Sequence, residues 1–107
     1  MGLRFVVMNT YVIRRRSNWK DAPELQAAAA RSTKVGNEEM PTKVRWIRSY
    51  VVQEADGRLG TICIYQATDE EAIREHARRA GLQADEITQV VDTVIVREDP
   101  SKESAAA

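Results

Sequence analysis

Few side chains in this chain of 107 residues can do chemistry beyond charge pairing, and they fall in three places. Trp46, Arg48 and Tyr50 recur at every second position of Val44-Arg45-Trp46-Ile47-Arg48-Ser49-Tyr50-Val51-Val52. Cys63 stands two residues before Tyr65, and His76 is the sole histidine. A thiol becomes a nucleophile or a soft metal ligand when a nearby cation lowers its pKa. Arg48, on the same expected face of the adjacent strand, is the candidate cation for Cys63. The plainer reading of a free cysteine is a small buried apolar residue. His76 lies in Glu75-His76-Ala77 and shares a helical face with Ile73 and Ala80. It can be a metal ligand or a proton shuttle near neutral pH, or a boundary residue packed over the core edge. Arg14-Arg15-Arg16 could touch phosphate, although a short basic run in a loop is ordinarily solvated. No Ser-His-Asp set, glycine-rich phosphate loop or Cys-x-x-Cys word is present. The carboxylates Asp69, Glu70, Glu71 and Glu75 are placed to cap a helix and to pair with Arg74, Arg78 and Arg79.

The elements that must hold these residues follow from local pattern. Leu3 to Ile13 is rich in β-branched and aromatic residues and reads as a strand over roughly its first part, with Arg14 to Asn18 as a solvated loop. Asp21-Ala22-Pro23-Glu24 opens a helix over about 22–34, which Gly36-Asn37 can end. Val44 to Val52 alternates as a second strand. Asp56-Gly57 marks a hairpin, and Thr61 to Tyr65 is the returning strand. Thr68-Asp69-Glu70-Glu71 is a capping box for a second helix that runs to Ala80 and stops at Gly81. Ile87 to Val96 reads as the fourth strand. The order β-α-β-β-α-β predicts a ferredoxin-like α+β domain over residues 1–97, with two helices on one face of a four-stranded antiparallel sheet. Residues 98–107 read as a frayed, disordered tail.

Strand alternation then assigns the faces. Ile62 and Ile64, with Ile47 and Val51, form the expected bed for the helices. Trp46, Arg48, Tyr50, Val52, Cys63 and Tyr65 form the opposite face. So large an apolar patch needs a cover. A second copy across a two-fold axis supplies one, giving a dimeric α+β barrel with a ligand pocket of Trp46, Arg48, Tyr50, Cys63 and Tyr65 between the sheets. The alternative cover is the segment from Arg14 to Lys20, with Trp19. In this arrangement His76 and Cys63 lie on opposite sides of their own sheet and do not share a metal within one protomer.

Composition narrows the class. The hydrophobic share is 43% and the charged share 30%, typical of a globular domain rather than a disordered or membrane chain. Sixteen Lys and Arg balance sixteen Asp and Glu, which gives no pull toward nucleic acid or anionic membrane. Residues 1–48 carry a net charge of +6 and residues 49–107 one of −6, a bias toward mutual attraction. One cysteine allows no intrachain disulfide and suits a reducing cytoplasm. No apolar run is long enough to span a membrane.

Three longer words carry a resemblance: Val44-Arg45-Trp46-Ile47-Arg48-Ser49-Tyr50-Val51, Cys63-Ile64-Tyr65-Gln66-Ala67, and Glu70-Glu71-Ala72-Ile73-Arg74-Glu75-His76-Ala77-Arg78-Arg79-Ala80-Gly81. In these the chain resembles a small bacterial family of dimeric, ferredoxin-like nickel-binding proteins. The resemblance implies the fold, a homodimer, and a site for nickel or another divalent transition metal, with Cys63 and His76 as the ligands present here. Such proteins commonly carry Trp-x-His-Ser-Tyr and a first-strand Glu, whereas this sequence has Arg48 and Met8 at those places. A guanidinium offers no lone pair and repels a divalent cation, so Arg48 cannot replace the imidazole. The resulting expectation is a non-enzymatic ligand- or metal-binding dimer in which Arg48 accepts a carboxylate or phosphate. The enzyme alternative is a dimeric α+β barrel isomerase or cofactor-independent oxygenase, with Tyr50 or Tyr65 as acid and His76 as base. An RNA-recognition-like sheet is disfavoured by the neutral charge and the missing Lys/Arg-Gly-aromatic word.

Overall fold

The computed structural model describes residues 7–102. The first part of the expected opening strand, residues 3–6, and the last part of the expected tail, 103–107, lie outside them. The elements are β1 (Asn9–Trp19), α1 (Ala22–Lys34), β2 (Val44–Gln53), β3 (Leu59–Ala67), α2 (Glu70–Ala80) and β4 (Glu86–Val90), and α1 runs on into a π-helical turn at Val35–Glu39. The four strands form one antiparallel sheet in the order β2-β3-β1-β4. This is the ferredoxin-like arrangement that the element order predicts.

Helix signals are obeyed closely. Asp21 caps α1 by accepting from the Glu24 amide at 3.0 Å, and Pro23 sits in the first turn. Asp69, rather than Thr68, caps α2 by accepting from the Ala72 amide at 2.8 Å, so the capping box is displaced by one residue. Gly81 closes α2 with φ of 69°, the left-handed stop. At the end of α1 Gly36-Asn37 does not stop the chain; Val35 and Gly36 are buried there and the helix widens instead.

The strands depart further. β1 reaches Trp19, so Arg14, Arg15 and Arg16 belong to the sheet and not to a solvated loop. Tyr11, Ile13 and Arg15 alternate with Val12 and Arg14, and the first set is buried. β4 ends at Val90, and Val91, Val94, Ile95 and Val96, expected in that strand, stand 74–96% exposed. The radius of gyration is 15.3 Å, above the roughly 13 Å of a compact chain this long, as such a projecting segment requires.

The largest correction concerns which face meets the helices. Thr61, Cys63, Tyr65 and Ala67 are buried under α1 and α2, whereas Ile62 and Ile64 look to the other side. In β2 the register jumps between Trp46, opposite Tyr65, and Arg48, opposite Ile64, so Ile47 is an extra residue. That β-bulge switches the alternation. Val44, Trp46, Ser49 and Val51 share the helix side, and Arg48 and Tyr50 lie opposite Ile64 and Ile62 on the open side. The core is small: Ile13, Val35, Met40, Val44, Tyr65 and Ile73 carry most of its volume, with alanines between them.

At one end of the sheet the backbone approaches itself closely. A Cβ built on Gly60 would lie 2.6 Å from the Arg15 carbonyl oxygen and 2.6 Å from Glu54 Oε2, contacts that no side chain can have. Glu54 in turn receives Arg14 Nη2 at 2.6 Å and the Ser17 amide at 3.0 Å.

Candidate functional site

Alanines dominate the inner face of α1, and they are too short to reach β2. A cavity of about 510 Å³ remains between that helix and the outer strand, walled by Trp19, Leu25 and Ala28 on one side and Trp46 and Val51 on the other. Arg15, Ser32, Thr61, Cys63 and Tyr65 line its polar part. Among the described residues no aspartate or glutamate lines it.

Arg15 is the least expected member. It is 2% exposed and carries a full charge into the interior. Nε donates to the Gln83 carbonyl at 2.7 Å and Nη1 to Cys63 Sγ at 3.3 Å, a weak acceptor, while Nη2 meets no acceptor at all. Its guanidinium stands 5.9 Å from the centre of the Tyr65 ring, a cation–π distance. No carboxylate pairs with it among the described residues. A buried charge lacking a counter-ion costs on the order of several kcal/mol.

From Tyr65 a polar chain runs into α1 and α2. The phenol and the Ser32 hydroxyl are 3.0 Å apart, and Ser32 Oγ is 3.3 Å from His76 Nε2. His76 Nε2 also lies 3.0 Å from the Ser32 carbonyl. A carbonyl only accepts, so Nε2 carries the proton and Nδ1, buried and without a partner, holds the lone pair. Burial pushes the His76 pKa below its ordinary value, the bond to the Ser32 carbonyl opposes this, and the Arg15 charge adds to it. Burial likewise pushes the Tyr65 phenol up, against the pull of Ser32 and Arg15. His76 therefore cannot act on Ser32 as a general base: the nitrogen facing the hydroxyl is already a donor. Trp46 lines the cavity, stacked on Tyr65 with ring centres 6.0 Å apart at 8°, its Nε1 donating to Ser49 Oγ at 2.8 Å.

The five residues expected to line one pocket are thus divided. Trp46, Cys63 and Tyr65 meet in the helix-side cavity, and Arg48 also borders it. The guanidinium of Arg48 and the phenol of Tyr50 meet on the open face, where Asp99 accepts from both, at 3.2 Å and 2.8 Å. Those bonds, that from Tyr50 foremost, hold the Asp99 carboxyl below its usual pKa. The cation beside Cys63 is Arg15 and not Arg48. His76 and Cys63 share the helix side of the sheet instead of being separated by it. Cys63 also donates to Thr61 Oγ1 at 3.3 Å and faces a fixed positive charge. Among the described residues no three His, Cys, Asp or Glu side chains converge to hold an ion.

Arg15, Ser32 and Thr61 carry the site's polarity; sequence reasoning weighed Arg15 only within the Arg14-Arg15-Arg16 run, as a phosphate contact or a solvated loop, and passed over Ser32 and Thr61. Signals for two of them were present: Arg15 continues the period-two series Tyr11, Ile13, Arg15, and Ser32 stands one helical turn beyond Ala28.

A sequence model of the SCO4226-like family, described as nickel responsive proteins, matches residues 11–90. No curated protein matches this chain. Among solved structures, the crystal structure of SCO4226 from Streptomyces coelicolor A3(2) superposes with a TM-score of 0.65 at 22% identity, covering 79% of this chain and 99% of that one. At that identity the likeness carries the fold alone. No helix among the described residues is long and apolar enough to cross a membrane.

Proposed function

Since the chain belongs to the SCO4226-like family of nickel responsive proteins, we propose that it is a non-enzymatic binding member of that family, whose ligand is a small organic molecule held between α1 and β2. The observation that carries this reading is the cavity of about 510 Å³ with aromatic and aliphatic walls and a short polar floor, the size and make-up of a small-molecule site. A nickel ion does not fit the side chains of one chain. The thiol that would bind it sits 3.3 Å from a guanidinium, and the available imidazole lone pair is buried with no second donor beside it.

The protein works as a homodimer joined through the open sheet face, where Val12, Ile62, Ile64 and Val52 are only half-buried and have no helix over them. A reducing cytoplasm suits its single buried cysteine.

Trp19 and Trp46 both line the cavity, so a ligand there changes tryptophan fluorescence. Titration of tag-free protein with small aromatic compounds should give a saturable change and raise Tm. Elemental analysis should find no stoichiometric metal. Saturable nickel binding abolished by Cys63→Ala overturns this reading. Sedimentation should give a dimer for the native chain and a folded monomer for Ile64→Glu.

A further inference from the structure

The cavity holds a charge that no carboxylate among the described residues answers. Arg15 has five N–H groups, of which one serves the Gln83 carbonyl and one the Cys63 sulfur. Nη2 is buried without an acceptor, on a side chain that lines the cavity. Resting on the cavity reading above, we propose that this guanidinium anchors a carboxylate, and that the ligand is a small monocarboxylic acid with an apolar body.

Three observations favour that class. The edge formed by Nη1 and Nη2 is the one left for a ligand, because Nε is committed to Gln83. Two parallel N–H groups match the two oxygens of a carboxylate, and the contact they would replace is a weak one to sulfur. Next, among the described residues no acidic side chain lines the cavity, so an entering anion meets no carboxylate there and supplies the missing counter-charge. Last, the walls beyond the guanidinium are Trp46, Leu25 and Val51, which favour a hydrocarbon body over a second charged group. A phosphate dianion fits less well, since the other arginine at this cavity, Arg48, has its guanidinium on Asp99.

The test compares acids with their own amides, which have nearly the same shape and no charge. Benzoate, phenylacetate and indole-3-acetate are titrated against benzamide, phenylacetamide and indole-3-acetamide, with inorganic phosphate as a further probe, by calorimetry and tryptophan fluorescence. Each acid should bind about tenfold or more tightly than its amide, the range of a charge-assisted pair. In Arg15→Met that ratio should fall to about one, while the amides keep their affinity. If Arg15→Met does not fold, the ratio in the native protein decides alone. Equal binding of acids and amides overturns the carboxylate anchor and leaves the cavity reading standing. Binding of neither overturns both, and phosphate binding as tight as the acids overturns the assignment to monocarboxylates.

Discussion

The two faces of this one sheet are built on opposite rules. On the helix side, polar groups are buried and linked in series: Arg15 to Cys63 to Thr61, and Tyr65 to Ser32 to His76. On the open side, the Arg48–Asp99 pair is about half exposed, and Tyr50 stands beside the half-buried aliphatic residues Val12, Ile62, Ile64 and Val52. Buried polar links act in a low-dielectric surrounding, so each group is either satisfied or expensive. Exposed ion pairs are screened and contribute little. Function is therefore sought where polarity is confined, and association where apolar surface is left uncovered.

The sharpest way to break the comparison is to cut the same residue type on each face. Ile13→Ala, at a position with 0% exposure, should destabilise the fold by about 2–5 kcal/mol. Ile64→Ala, half-buried on the open side, should remove only a fraction of that in the monomer. Urea unfolding of both variants measures the difference, and equal losses would mean that the open face is a core.

A second experiment tests the confined polarity through pH. His76 has its folded pKa below the unfolded value of about 6.5 because burial disfavours the imidazolium. Below that pH the unfolded chain takes up a proton that the folded chain refuses, so stability is complete above about pH 6.5 and declines on acidification. The slope approaches at most about 1.4 kcal/mol per pH unit. Tm should fall between pH 7 and 5.5, and His76→Gln should flatten the profile. An unchanged slope in that variant assigns the effect elsewhere.

The smallest effect belongs to the open-face pair. Asp99→Asn should leave Tm unmoved while raising no barrier to ligand binding in the cavity, because both partners remain hydrated. A measurable loss of stability, read by calorimetry at low and high salt, would show that the C-terminal segment is part of the fold.

Much of the architecture was legible because its signals are local. Asp21, Pro23 and the alanines specify α1, Asp56-Gly57 the hairpin, Gly81 the end of α2, and their order specifies the topology. The faces were not legible, for two physical reasons. A β-bulge has no marker in Trp46-Ile47-Arg48, yet one extra residue reverses every side chain after it. Hydrophobicity favoured Ile62 and Ile64 as inward, but α1 brings alanines and Ser32 to the sheet, so the bulk that fills the gap comes from Tyr65 and its phenol finds Ser32. The arginine run misled in the same way: consecutive charges suggest solvent, although a strand sends every second one inward. Of the expected pocket, Trp46, Arg48, Cys63 and Tyr65 line the cavity and were legible from type and spacing; Arg15 needed its strand, and that strand's length was hidden in its charges.

The close approach at Gly60 has a bearing on ligand choice. A single hydrogen at that position lets the main chain at residue 15 settle against β3, and the guanidinium's aim is inherited from that settlement. On the carboxylate-anchor proposal, any side chain there would tilt the anchor before it touched the cavity, so ligand choice would rest partly on a residue outside the cavity lining.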